Sequence, residues 1–255
     1  MPLDLVTIPC LEDNYAFLIH DMETGATAVI DVPEAPPILE ALTARDWKLT
    51  DVFLTHHHWD HVDGLEALLA EAPATVSGAQ ADAHRLPPLD RSLNEGQKFN
   101  FGASKVLVMD VSGHTVGHIA FHIPDARMAF TGDSLMAMGC GRLFEGTPEQ
   151  MWRSLSKFTS LPDETLICSG HEYTAANMRF ALSLEPGHPD LILRQEEIEK
   201  LRAAGQATVP STLGLERQTN PFLRADNQTL KTAIGMPDAA AETVFAEIRK
   251  RKDHF

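Results

Sequence analysis

Thr55-His56-His57-His58-Trp59-Asp60-His61 follows directly on an apolar run, Val52-Phe53-Leu54, and its reading decides the fold. The run predicts a strand over Val52 to Thr55. Side chains alternate along an extended chain, so His56 and His58 face one side and His57 the other. Two imidazoles on one side of a strand end make half of a metal site. Asp60 and His61 follow in a turn that can redirect them toward a second ion. The plain alternatives are a surface histidine run or a single structural zinc. Five metal-capable side chains within six residues argue against the first.

Outward from this run, three more segments repeat the pattern. Gly113-His114-Thr115-Val116-Gly117-His118 precedes a predicted strand, while Thr131-Gly132-Asp133-Ser134 and Ser169-Gly170-His171-Glu172 each end one. Each sets a His or Asp beside glycines that let the backbone turn tightly. A lone buried His or turn Asp is usually structural; recurrence in order across four strand ends is what carries the reading. Four ligands fill one zinc, so this many donors ask for a second ion and leave coordination positions open. The remaining histidines (His20, His57, His84, His118, His122, His188, His254) are given no ligand role, and His118 is read as packing or as a support for a ligand.

Short strands are expected over Leu3 to Ile8, Tyr15 to His20, Ala26 to Asp31, Thr75-Val76, Lys105 to Asp110, Ile119 to Ile123, Met128 to Thr131 and Thr165 to Cys168. Helices are expected over Pro37 to Ala44, Leu65 to Ala70, and from a Thr147-Pro148-Glu149-Gln150 capping box to about Phe158. Beyond His171 strand signals nearly vanish, and Ala175 to Leu184, Leu191 to Ala204 and Glu242 to Lys252 read as helices. The chain thus divides near residue 172 into a mixed α/β domain, 1–172, and a helical domain, 173–255.

Composition narrows the function. The chain has 255 residues, 44% hydrophobic and 22% charged, as in ordinary globular proteins. No apolar run reaches the roughly 18 residues of a membrane span, and Met1 to Asp13 does not read as a secretory signal. Cys10, Cys140 and Cys168 form no CxxC and no even framework, which points to a reducing, cytoplasmic setting. A net charge of −15 repels phosphate backbones, so no nucleic acid partner is expected. A small anionic substrate meets the same field and needs a local cationic clamp. One compact basic run exists, Arg249-Lys250-Arg251-Lys252.

On Thr55 to His61, read as THxHxDH, the chain resembles the metallo-β-lactamase superfamily. Gly113-His114-Thr115, Phe130 to Asp133, Gly139-Cys140-Gly141-Arg142, Gly170 to Thr174 and Asn220-Pro221-Phe222 make it most similar to the glyoxalase II (hydroxyacylglutathione hydrolase) family. The resemblance implies an α+β fold, a four-layer αββα sandwich with a C-terminal helical substrate-binding domain. It implies two divalent ions per chain, zinc foremost, with iron or manganese as the alternatives. One ion would take His56, His58 and His114, the other Asp60, His61 and His171, with Asp133 bridging. Asp60 and Asp133 would thereby serve catalysis. A hydroxide between the ions would hydrolyse S-D-lactoylglutathione to glutathione and D-lactate, a step of methylglyoxal degradation. The leaving thiol, of pKa about 8.5, needs little protonation, and the cysteines stand aside. Arg142, Phe144, Tyr173, Arg249 and Lys252 would contact the substrate, with Arg249 and Lys252 clamping the glycine carboxylate from one helix face.

Two departures stand out. Asp63-Gly64 replaces a frequent Gly-Gly, with Asp63 expected to cap the next helix. Arg142 and Phe144 stand where relatives often show Lys and Tyr, so Phe144 lacks a hydroxyl for the peptide. A monomer is expected, with no membrane partner. The competing reading is a mononuclear iron oxidoreductase of the persulfide dioxygenase type.

Overall fold

The computed structural model describes residues 3–255; the first two residues of the Met1–Asp13 stretch lie outside them. The apolar runs of the first half pair into sheets and are buried almost continuously, because both faces of each sheet are covered. The first sheet has six strands in chain order: β1 (Leu3–Cys10), β2 (Asn14–Asp21), β3 (Thr27–Ile30), β4 (Asp51–Phe53), β5 (Thr75–Ala79) and β6 (Arg91–Leu93). The first three pair antiparallel and the rest parallel. Next come β7 (Lys98–Phe101), β8 (Ser104–Asp110), β9 (Ile119–Ile123) and β10 (Met128–Gly132), then a hairpin of β11 (Leu135–Met136) and β12 (Gly139–Cys140). With β13 (Leu166–Ser169) and β14 (Ser211–Thr212) they complete a second six-stranded sheet in the order β14-β13-β10-β9-β8-β7.

The two sheets face each other across an aromatic core. Phe53 stacks on Phe121 at 5.1 Å and meets the edges of Phe99 and Phe101, while Phe17 lies 5.8 Å from Phe130. Each buried aromatic contributes about 1.5–3 kcal/mol of transfer free energy. Helices cover the outer faces. α1 (Ala35–Arg45) and α3 (Leu65–Glu71) lay Ile38, Leu42, Leu65 and Leu68 against the first sheet. α4 (Pro148–Phe158) and α9 (Ala241–Asp253) cover the second, where Ala120, Ala129 and Ile167 meet Leu155, Phe158, Phe245 and Ile248. Alternation explains the two-sided burial: Phe121 and Phe130 point inward, while their neighbours Ala120 and Ala129 point out to the helices. The layers run helix, sheet, sheet, helix.

Past residue 172 the chain is helical as expected, with α5 (Thr174–Leu184), α6 (Pro189–Ala203), α7 (Leu213–Thr219) and α8 (Gln228–Ala233) before α9. It does not stand apart from the sandwich. β14 pairs antiparallel with β13, and Phe222, Val244 and Phe245 share one apolar cluster with Val111 and Met151. The Thr147/Gln150 capping box is present in full.

Several elements differ from the sequence reading. β6, the β11–β12 hairpin, α7 and α8 are too short or too polar to show a periodic pattern of their own, whereas Lys98-Phe99-Asn100-Phe101 of β7 alternates polar and apolar and went unread. β4 ends at Phe53, so Leu54 to His58 run on as an irregular extension. Asp60 and His61 sit on a single helical turn, α2 (Trp59–Val62), rather than in a loop. Gly64, not Asp63, occupies the N-cap of α3. A side chain there would run into the Glu34 backbone at 2.6 Å, so the close approach keeps position 64 glycine.

Candidate metal centre

Topology gathers the donors at one edge of the sandwich. β4, β10 and β13 all end there, delivering the 56–58 segment, Asp133 and His171. β9 runs antiparallel to β10, so the segment entering it brings His114 to the same edge. α2 then swings Asp60 and His61 inward.

The seven residues expected as ligands converge. His58 Nδ1 lies 3.2 Å from His56 Nε2 and 3.0 Å from His114 Nε2. His61 Nε2 lies 3.3 Å from His171 Nε2, and His171 Nε2 lies 3.4 Å from Asp60 Oδ2. Two groups capable of holding an ion result, His56-His58-His114 and Asp60-His61-His171. Asp133 stands between them: Oδ2 is 3.5 Å from His114 Nε2 and 3.2 Å from His171 Nε2, and Oδ1 is 3.5 Å from His61 Nε2.

Outer partners decide which nitrogen each ring presents. His61 Nδ1–H donates to Asp31 at 2.8 Å, His171 Nδ1–H to Asp13 at 2.9 Å, and His114 Nδ1–H to the Arg142 carbonyl at 2.8 Å. The Thr55 hydroxyl gives its hydrogen to Asp31, so its oxygen accepts from His56 Nδ1–H at 3.0 Å. Those four rings therefore aim Nε2 at the centre. His58 aims Nδ1.

Charge follows burial. Burial, then the neighbouring rings, holds His56 well below the ordinary histidine range and pushes His58 down to about 4. Both are neutral, the form that ligates. For His61, burial acts the same way but Asp133 and Asp31 outweigh it, so the ring is held well above its usual value. Asp133 is opposed by burial, yet His171 and His61 keep its carboxyl well below the usual range.

This donor set fits cations. Ring nitrogens that converge near 3 Å are tolerated only with positive charge between them, a proton or a metal ion, and five such rings gathered with two carboxylates match the second. Asp133 Oδ1 is buried without a hydrogen-bond partner, a debt that a coordinated ion would settle. Mixed nitrogen and oxygen donors suit zinc or iron. Asp31 also lies within reach of His56 and His61. Its oxygens are already taken by the Thr55 amide and hydroxyl and by His61, which makes it a support.

Above the centre opens a cavity of about 740 Å³ that reaches Arg142, Phe144, Tyr173, Arg249 and Lys252. Tyr173 stacks on His171 at 4.7 Å, and Phe144 sets its edge to His58 and His114. Arg249 is largely buried: it donates to the Cys140 carbonyl at 3.0 Å and pairs with Asp253 at 2.8 Å. Lys252 Nζ sits over the rings of Phe180 and Phe255. Burial pushes the Cys140 thiol up to about 11 and the Cys10 thiol to about 12, so neither is a ready nucleophile.

Sequence reading missed Asp13, Asn14 and Asp31, and left His118 undecided. His118 is fully buried, stacks on His56 and accepts from the Asp133 amide at 3.1 Å. Asn14 donates to Asp60 at its backbone carbonyl, 2.9 Å, and at Oδ2, 3.2 Å. Asp31 did carry a signal, an acidic residue ending an apolar strand, the same one that singled out Asp133. Asp13 and Asn14 carried none, since they reach the edge only because β2 begins where β3 ends.

Comparison with known proteins agrees with this edge. Residues 15–171 match the family model described as the metallo-beta-lactamase superfamily, the class that the sandwich and its His/Asp edge define. Residues 172–255 match the model described as the hydroxyacylglutathione hydrolase C-terminus. A hydroxyacylglutathione hydrolase of Ruegeria pomeroyi is 61% identical over all of both chains. The chain belongs to the hydroxyacylglutathione hydrolase family. Among solved structures, ETHE1 from Myxococcus xanthus shares the fold at TM-score 0.67 and 23% identity, covering 98% of this chain and 90% of its own. A di-iron-bound form of TTHA1623 aligns at TM-score 0.63 and 26% identity, covering 86% of this chain and 100% of its own. The full-length match, tail included, does not favour the mononuclear oxidoreductase alternative.

Proposed function

We propose that this protein hydrolyses the thioester of hydroxyacylglutathiones, S-D-lactoylglutathione foremost, releasing glutathione and the hydroxy acid in methylglyoxal disposal. One observation carries the reading: a three-histidine group and an Asp/His group, with Asp133 between them, lie at the floor of a cavity that also reaches three basic side chains, in a chain of net charge −15.

His56, His58 and His114 would hold one divalent ion, and Asp60, His61 and His171 the other, with Asp133 shared. Zinc is the first choice on donor type, with iron or manganese alternatives. Two such ions, when bound, supply the charge that brings the pKa of water toward about 7 and that favours an oxyanion. The protein's own groups do the rest. Asp31, Asp13, Thr55 and the Arg142 carbonyl fix the rings so that no reorientation is needed. Arg142, Arg249 and Lys252 offset the chain's negative field and receive the peptide carboxylates. Tyr173 keeps its proton, because burial and the charge of Asp13 raise its pKa, so its hydroxyl can donate to the bound peptide. Phe144 offers only an apolar edge.

Residues 1–172 are read as the catalytic part and 173–255 as the substrate-binding part; the change of family model at 171/172 supports that division. No described helix is long and apolar enough to cross a membrane. Three free, buried cysteines are in keeping with a reducing cytoplasm.

The test pairs metal analysis with turnover. Metal-replete protein should hold two equivalents and release thiol from S-D-lactoylglutathione, while Asp133→Ala should deplete both sites. One equivalent, with His171→Ala indistinguishable from wild type, would sink the binuclear reading.

A further inference from the structure

His57 is the one histidine of the 55–61 run that turns from the centre. Its Nδ1–H donates to Asp82 Oδ2 at 3.0 Å. The Asp82 carboxylate, 1% exposed, also accepts from Arg85 Nε at 3.1 Å and Nη2 at 2.5 Å. Arg85 reaches onward, donating from Nη1 to Glu145 Oε1 at 2.5 Å and from Nη2 to Oε2 at 3.1 Å. Glu145 in turn accepts from the Val116 amide at 2.8 Å. The Arg85 bond, with the Val116 amide, keeps its carboxyl ionised, with a pKa of about 2.

These bonds join what the chain keeps apart. His57 lies between donors His56 and His58, and Val116 is two residues past His114. Glu145 adjoins Phe144 in the irregular loop that carries Arg142 over the cavity. A guanidinium is the side chain that can fork to two carboxylates at fixed angles; an ammonium cannot. The Asp82 end is buried, but the Arg85–Glu145 arm that reaches the loop is part-exposed, where an ion pair contributes only about 0–1 kcal/mol to stability. The value of this chain of bonds is therefore geometric.

We propose that Arg85, with Asp82 and Glu145, is a positioning device for the thioester: it sets the 142–146 loop against the histidine segments and so fixes where Arg142 and Phe144 meet the peptide. The inference rests on the thioesterase reading. Arg85 itself touches neither substrate nor ions.

Arg85→Met and Glu145→Gln test it, each compared with wild type on S-D-lactoylglutathione and on a small lactoyl thioester lacking the peptide. Both variants should keep two metal equivalents and raise KM for the glutathione thioester about tenfold, with kcat changed less than about threefold. The small thioester should be hydrolysed as by wild type. Arg85→Lys should recover part of the loss, and the double variant should be no worse than either single. Equal losses on both substrates, lost metal, or no change in KM would overturn the proposal. Amide hydrogen exchange separates its failure from that of the activity. If wild type ignores glutathione thioesters, faster exchange over 142–146 in Arg85→Met, with 55–61 still protected, upholds the loop's dependence on Arg85. Unchanged exchange refutes it.

Discussion

At the residue scale, much of the chemistry turns on which charges survive burial. Lys252 is the clearest case. Burial first, then Arg249, Arg179 and Arg142, push its ammonium down to about 8, with Asp253 opposing them. The cation is present below that pH and lost above it. KM for the glutathione thioester should therefore rise between about pH 7 and pH 9, because the anionic peptide loses a partner. Lys252→Arg should flatten the rise, since a guanidinium stays charged throughout. A wild-type KM that is constant across that range would show that Lys252 does not meet the substrate's charge.

At the element scale, the β11–β12 hairpin decides how close the substrate segment lies to the centre. It leads into Gly141, where a Cβ would meet the Asp133 carbonyl at 2.0 Å and His114 Nδ1 at 2.8 Å. Backbone cannot yield as a flexible side chain can. Gly141→Ala should push the hairpin from Asp133 and lower turnover by about 10²-fold, the loss typical of an ångström's misplacement. Metal content should fall with it. Full activity in Gly141→Ala would mean that the segment adapts and that this contact is not structural. The hairpin is held from the far side too: Asn220 Nδ2 donates to the carbonyls of Met136 and Gly139, each at 3.0 Å. The Asn220-Pro221-Phe222 segment thus acts on the site through the backbone it grips, not by touching the cavity.

At the scale of the whole molecule, the two halves are joined by buried charge as well as by apolar surface. Glu216 is fully buried, pairs with Arg194, and accepts from the Met138 amide at 2.8 Å, Ser211 Oγ at 2.5 Å and Asn220 Nδ2 at 3.0 Å. Glu216→Ala would leave the Arg194 cation buried and unpaired, at a cost of about 3–5 kcal/mol. Chemical denaturation should show that loss, and the hairpin's hold on the site should loosen with it. A change below about 1 kcal/mol would mean that water replaces the carboxylate and that the network is not a joint.

Much of this was legible in the sequence because local pattern and local chemistry coincide there. Apolar runs rich in β-branched and aromatic residues between turn clusters read as strands, the Thr147/Gln150 box read as a helix start, and His56, His58, Asp60, His61, His114, Asp133 and His171 stood out as donor types at strand ends. What the sequence could not state was pairing over distance. Asp13 supports His171 and Asn14 supports Asp60 from 158 and 46 positions away. Arg85 meets Glu145 across 60. β14, two residues long, has no periodicity, yet it ties the tail to the second sheet. Donor type is a property of the residue and so is written in the chain. Ring tautomers, supporting carboxylates and the height of the Arg142 loop depend on which strand ends share an edge, and only the folded sandwich decides that.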